Sequence, residues 1–307
     1  MLKVGNPKVA GTENPWQATG AMGQLQTLVN GIVLGGLYSC LAVGFSLVWG
    51  VLNVINMLHG SLIVFGGYIT YFAWHSYGIH PLLALPAVAL LMYLLGYAMQ
   101  LSMINRVVSQ PVLTTMTLTF GLDLILYNFM TVYYSATPRR ITLDLGALDL
   151  GGIAIPVDRL LGMLLALGLT GMLYLVMRRS RIGRAIVAVR MDSAAAALMG
   201  IKVDRIYAIT FGIGALMAGA TGVIFAMVYP VTTNLTGTYL GKAFVVCVIG
   251  GLGSVPGALV GGIVLGIIES FAGQAFGPQH ALTVGFLLML VLLVVRPTGL
   301  VGIKGYE

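Results

Sequence analysis

Hydrophobic and polar positions in this chain fall into long blocks with no regular alternation. Apolar runs cover residues 25–49, 55–74, 82–104, 112–134, 160–177, 206–229, 239–250, 258–275 and 282–295, with polar breaks between them. Such runs predict α-helices in a bilayer, where a span needs ~20 residues at ~1.5 Å each. Strands of an outer-membrane barrel would alternate instead. The run at 239–250 is short of a full span, so the expected fold is an all-α polytopic membrane protein with eight or nine passes.

The polar breaks set the orientation. Residues 178–205 carry Arg178, Arg179, Arg181, Arg184, Arg190, Lys202 and Arg205 against Asp192 and Asp204. A basic loop between two spans marks the cytoplasmic side. Arg106 and Arg296 place two further breaks there. The break at 135–158, with Asp144, Asp149 and Asp158 outnumbering Arg139 and Arg140, fits the outside. Counting passes then gives an outside amino terminus and a cytoplasmic carboxyl terminus. Residues 1–23 are polar and rich in Gly and Pro and read as a disordered tail, with Met22 an alternative start. Residues 24–302 form one transmembrane domain, and 303–307 a cytoplasmic tail.

Inside the basic loop a short helix is legible. Asp192 or Ser193 can cap it, Ala194 to Met199 favour helix, and Gly200 supplies a left-handed stop. So short a helix is unstable alone and makes sense when held by a partner. Its expected contact residues are Arg190, Asp192, Ser193, Ala196, Met199 and Gly200. A purely topogenic loop is the plainer alternative.

The two halves of the chain echo each other. Gly-Ile-Val-Leu-Gly occurs at 31–35 and again at 262–266. Val54 to Gly67 interrupts one apolar stretch with Asn56, His59 and Gly60. Val248 to Gly262 interrupts another with Gly250, Gly251, Gly253, Pro256 and Gly257. Interrupted hydrophobic segments in corresponding halves point to broken or re-entrant helices along a transport path. In a glycine-rich chain the pentapeptide by itself is also what chance would give.

Composition narrows the class further. Charged residues are 8% and hydrophobic residues 58% of the 307, and mean hydropathy is +0.97, which excludes a water-soluble fold. The pI of about 9.5 reflects inward loops and not nucleic-acid binding. Cys40 and Cys247 lie in apolar runs and suggest neither a disulfide nor a metal. Gly237 to Ala243 resembles a phosphate loop but is one residue short between its glycines and has Ala243 where a hydroxyl should hold magnesium. No hydrolytic or redox constellation occurs.

What remains is intramembrane polarity: Asn53, Asn56, His59, Asp123, Lys242 and Glu269. Lys242 and Glu269 can match in depth and pair, for packing or for solute contact. Asn53, Asn56 and His59 can line a path or satisfy broken backbone. GxxxG spacings at Gly31/Gly35, Gly257/Gly261 and Gly262/Gly266 favour close helix packing.

Three stretches carry a family resemblance: GGLYSCLAVGFSLVWGVLNVINMLHGS, AVRMDSAAAALMGIKVDR and GKAFVVCVIGGLGSVPGALVGGIVLGIIES. They resemble the permease subunits of bacterial ABC importers for branched-chain amino acids, most of all the LivH type, over nearly the whole chain from Met22 to Gly302. The polar amino-terminal tail departs from that pattern. The resemblance implies a bacterial inner-membrane complex with a second homologous permease, two cytoplasmic ATPase subunits and a periplasmic solute-binding protein. The chain itself would hold no cofactor, ATP and magnesium residing on the ATPases, and would do no chemistry. The helix at Asp192–Gly200 would couple it to them. The contrasting expectation is a stand-alone ion-coupled transporter or channel using Asp123 or Glu269.

Overall fold

A computed structural model describes residues 20–301 apart from 144 and 150–152. The tail expected at 1–23 lies almost wholly outside the described residues, as do Asp144 and the tail at 303–307. Eleven α-helices order the described residues: α1 Ala21–Leu52, α2 His59–Tyr77, α3 Pro81–Ser102, α4 Val112–Tyr134, α5 Val157–Arg179, α6 Arg181–Met191, α7 Ser193–Leu198, α8 Val203–Val228, α9 Thr236–Gly250, α10 Val255–Phe276 and α11 Pro278–Val295. Nine of them correspond to the nine apolar runs. Seven (α1, α3, α4, α5, α8, α10 and α11) are long and apolar enough to cross a membrane. The other two are α2, with 19 residues, and α9, with 15. Each is joined to a long neighbour by a non-helical turn.

The helices end where backbone chemistry ends them. Asn53 takes a left-handed φ of 52° and closes α1 with its amide on Trp49 O. Ser254 Oγ accepts the Gly257 amide at 3.0 Å and opens α10, with Pro256 among its first residues. The polar break after α4 contains a feature that apolar periodicity does not reveal. It is a hairpin of β1 Ala147–Asp149 against β2 Ala154–Pro156, antiparallel, with Leu148 opposite Ile155.

Of the seven long helices, two lie in the interior. The apolar windows of α1 and α8 are each 89% buried, whereas that of α11 is 11% buried and that of α4 is 17% buried. Helix α1 packs most extensively on α10, then α8, α5 and α9, while α3 and α2 pack on α8. Glycine makes the α1–α10 approach possible. A Cβ at Gly35 would stand 2.5 Å from Ile263 Cα, and one at Gly31 would stand 2.7 Å from Ile267 Cα. The two copies of the repeated pentapeptide therefore pack against each other, backbone to backbone.

Candidate functional site

The basic segment folds as two helices where the sequence suggested one. Ser180 Oγ accepts the Gly183 amide at 2.8 Å and starts α6. Gly183, Ile186 and Val189 turn inward, and Arg181 and Arg184 stay exposed. Asp192 Oδ1 then accepts the amides of Ala194 and Ala195, both at 2.9 Å, and starts α7. Asp192 is thus the cap, and Ser193 is the first helical residue. Gly200, at φ +84°, sits in the turn that follows. Of the contact residues expected here, Ala196 is buried within the chain itself, while Leu198 and Met199 are 89% and 84% exposed. Sequence reasoning passed over Leu198, because its register on so short a helix was not fixed.

Arg190, another of the expected contact residues, reaches out of the basic segment. Its Nη1 donates to Gly253 O at 2.9 Å, across to the turn between α9 and α10. That turn is built on positive φ, 108° at Gly251 and 77° at Gly253, which favours glycine. It is also crowded. A Cβ at Gly253 would meet Gly50 Cα of α1 at 2.8 Å, and one at Gly257 would meet Gly250 O at 2.5 Å. The amides of Leu300 and Val301 donate to the carbonyls of Ile249 and Gly250 at 2.8 and 3.1 Å. One turn thus gathers α1, α6, α9, α10 and the chain beyond α11.

Lys242 of α9 and Glu269 of α10 form an ion pair, Nζ to Oε2 at 2.8 Å, with side chains 14% and 5% exposed. Tyr38 of α1 completes the group. Its hydroxyl donates to Glu269 Oε2 at 2.6 Å and accepts from Lys242, whose Nζ also lies 4.3 Å from the ring centroid. Tyr38 was missed because a tyrosine in an apolar run gives no sign of a charged partner.

The remaining polar residues meet at the break between α1 and α2. Asn53 is exposed, and Asn56 and His59 are buried. His59 Nε2 donates to Leu41 O at 2.9 Å. Ser61 Oγ donates to Asp123 Oδ1 of α4. Thr119, one turn from Asp123, donates to Ile55 O at 2.9 Å and accepts the Met57 amide at 3.3 Å. A Cβ at Gly60 would collide with the Thr236 carbonyl at the start of α9. The structure therefore collects Asn56, His59 and Asp123 at one place, with Ser61 and Thr119, and keeps Lys242 and Glu269 at another. Thr119 and Asp123 recur at helical spacing on α4, and that was the available signal for Thr119. Among the described residues no cluster of His, Cys, Asp or Glu could hold a metal ion.

The comparisons with known proteins agree with this architecture. The family model described as "Branched-chain amino acid transport system / permease component" matches residues 27–295. The chain is 32% identical over 297 residues to the high-affinity branched-chain amino acid transport system permease protein BraD of Pseudomonas aeruginosa, covering 91% of this chain and 95% of that protein. It is 31% identical over 296 residues to LivH of Escherichia coli K12, with the same coverage. It is also similar to the LivM permease of that organism, at 26% over 290 residues, 86% of this chain and 67% of that protein. No solved structure matches the chain. A multi-pass helical membrane protein, matched by the family model from within α1 to the end of α11, this chain belongs to the family of branched-chain amino acid transport system permease components.

Proposed function

We propose that the chain is the transmembrane permease subunit of an ATP-driven importer that carries branched-chain or related amino acids from periplasm to cytoplasm across a bacterial inner membrane. The observation that carries this reading is α7. It is a short, capped helix in the basic segment with Leu198 and Met199 turned out to solvent. An exposed apolar pair on a cytoplasmic helix marks a partner surface. Two ATPase subunits supply the occupants, ATP and magnesium belong to them, and the similarity to LivM supports a homologous second permease beside this one. A periplasmic solute-binding protein delivers the cargo.

Arg190 supports the same reading, because it ties the segment bearing α7 to the turn between α9 and α10. Movement at the ATPases then has a path into the membrane domain, provided the two states differ in their contacts there. The test is reconstitution in vesicles with the cognate second permease, ATPases and binding protein. Labelled leucine should enter only with ATP and loaded binding protein. Uptake driven by an imposed proton or sodium gradient, without ATPase subunits, would instead make the chain a stand-alone secondary transporter.

A further inference from the structure

The start of α2 is a buried helix end with more hydrogen-bonding groups than partners. It has no side-chain cap. The backbone bonds there run from His59 N–H to Asn56 O at 3.2 Å and from Leu62 N–H to Leu58 O at 3.0 Å. The amides of Gly60 and Ser61 belong to the first turn of α2, where a helix has no partners of its own to offer its amides. Asn56, whose own carbonyl takes the His59 amide, is 1% exposed, and neither its Nδ2 nor its Oδ1 has a partner. An asparagine ahead of a helix ordinarily caps it. This one does not, although burial makes an unused carboxamide costly.

Ser61 links this helix end to a carboxylate. The Ser61 amide belongs to the helix end, and the Ser61 hydroxyl donates to Asp123 on α4. Unsatisfied amides with the positive end of a helix dipole attract an anion, and a carboxylate beside them attracts a cation. An α-amino acid carries both charges on one carbon.

We propose that the start of α2 is the solute subsite. The carboxylate of a passing zwitterionic amino acid is received by the amides of Gly60 and Ser61 and by Asn56 Nδ2, and its ammonium group by Asp123 and Asn56 Oδ1. This rests on the importer reading above. The subsite is closed in the present structure, and α4 is its movable wall. Helix α4 packs chiefly on α2, is bonded there through Asp123 and Thr119, and turns most of its apolar surface outward. In this proposal displacement of α4, which is bonded to the backbone on both sides of Asn56 at Ile55 and Met57, opens the way to it.

The experiment separates this role from a structural one. If Asn56 only traps a water, Asn56→Leu removes a strained polar group, so the melting temperature holds or rises and transport continues. If Asn56 receives cargo, the melting temperature holds while leucine uptake in reconstituted vesicles falls by about tenfold or more. Asp123→Asn should lose uptake in the same way. Should Asn56→Leu fail to accumulate, Asn56→Asp serves. The new carboxylate caps the first-turn amides, keeps the helix and competes with the cargo carboxylate, so uptake drops. Uptake at the wild-type rate and KM in the Asn56 variant that accumulates overturns the subsite. Failure of the wild-type complex to move any amino acid with ATP and loaded binding protein overturns the importer reading instead, whereas wild-type uptake with unimpaired Asn56 and Asp123 variants overturns the subsite alone.

Discussion

At the scale of single residues, the Tyr38–Lys242–Glu269 group governs what substitution can do. A charge left alone in a dry interior is the costly state, and breaking a buried pair by removing one partner costs about 3–5 kcal/mol. Glu269→Gln strands Lys242, and Lys242→Met strands Glu269. The double substitution removes both charges, so it should melt above either single variant when the purified protein is heated. Strict additivity of the two losses would show that the pair does not interact. Tyr38→Phe should cost less, about 1.5–3 kcal/mol, because it removes hydrogen bonds to charged groups and leaves the pair in place. Opposite charges in two apolar runs were readable as a pair from their spacing along each helix. Tyr38 was not readable, since its hydroxyl reaches Glu269 across a fold that brings residues 231 apart into contact.

Helices bring a second kind of constraint, which is the face each presents. Ala196 points into the chain and Leu198 and Met199 point out. Ala196→Asp should therefore lower accumulation of the permease itself. Met199→Asp or Leu198→Asp should leave it inserted and strip the ATPase subunits from it during copurification. Equal ATPase recovery with the exposed variants would leave α7 without a docking role. Glycine faces can be tested in the same way. Gly35→Leu drives a side chain into the backbone at Ile263, whereas a Cβ at Gly168, the site of the control Gly168→Leu, meets nothing within 4 Å. The first should cost about 1–3 kcal/mol or more and the second almost nothing, measured by melting of purified protein. The sequence displayed the GxxxG spacings and the repeated pentapeptide. That the two copies face each other was not legible, because spacing on one helix does not name the helix opposite. Nor was the split of the basic segment into α6 and α7, which depends on Asp192 turning extended between them at φ −158°.

For the whole molecule, the distribution of charge predicts the side on which each loop lies. A cysteine at Ser193→Cys should react with an impermeant thiol reagent only when the cytoplasmic face is open, and one at Asp149→Cys should react in intact cells with a permeable outer membrane. Reversal of that pattern would invert the topology. Membrane residence and the number of long helices were plain from apolar run length. The identity of the interior helices was not, because α1, α8 and α11 have nearly equal hydropathy of 1.9, 2.0 and 2.0 while their burial differs widely. Lipid and protein interior are both apolar, so apolarity does not say which one a helix faces. That α1 is an interior helix has a consequence for synthesis. It leaves the ribosome well before α10, since Glu269, the partner of Tyr38, follows 231 residues later. At ~5–20 residues per second, α1 waits about 12–46 s in the bilayer with its Gly31–Gly35 face uncovered. Throughout that interval any other nascent helix with a stripe of small residues can occupy the groove meant for α10. An interior helix thus spends its first seconds in lipid without the neighbour it packs on most.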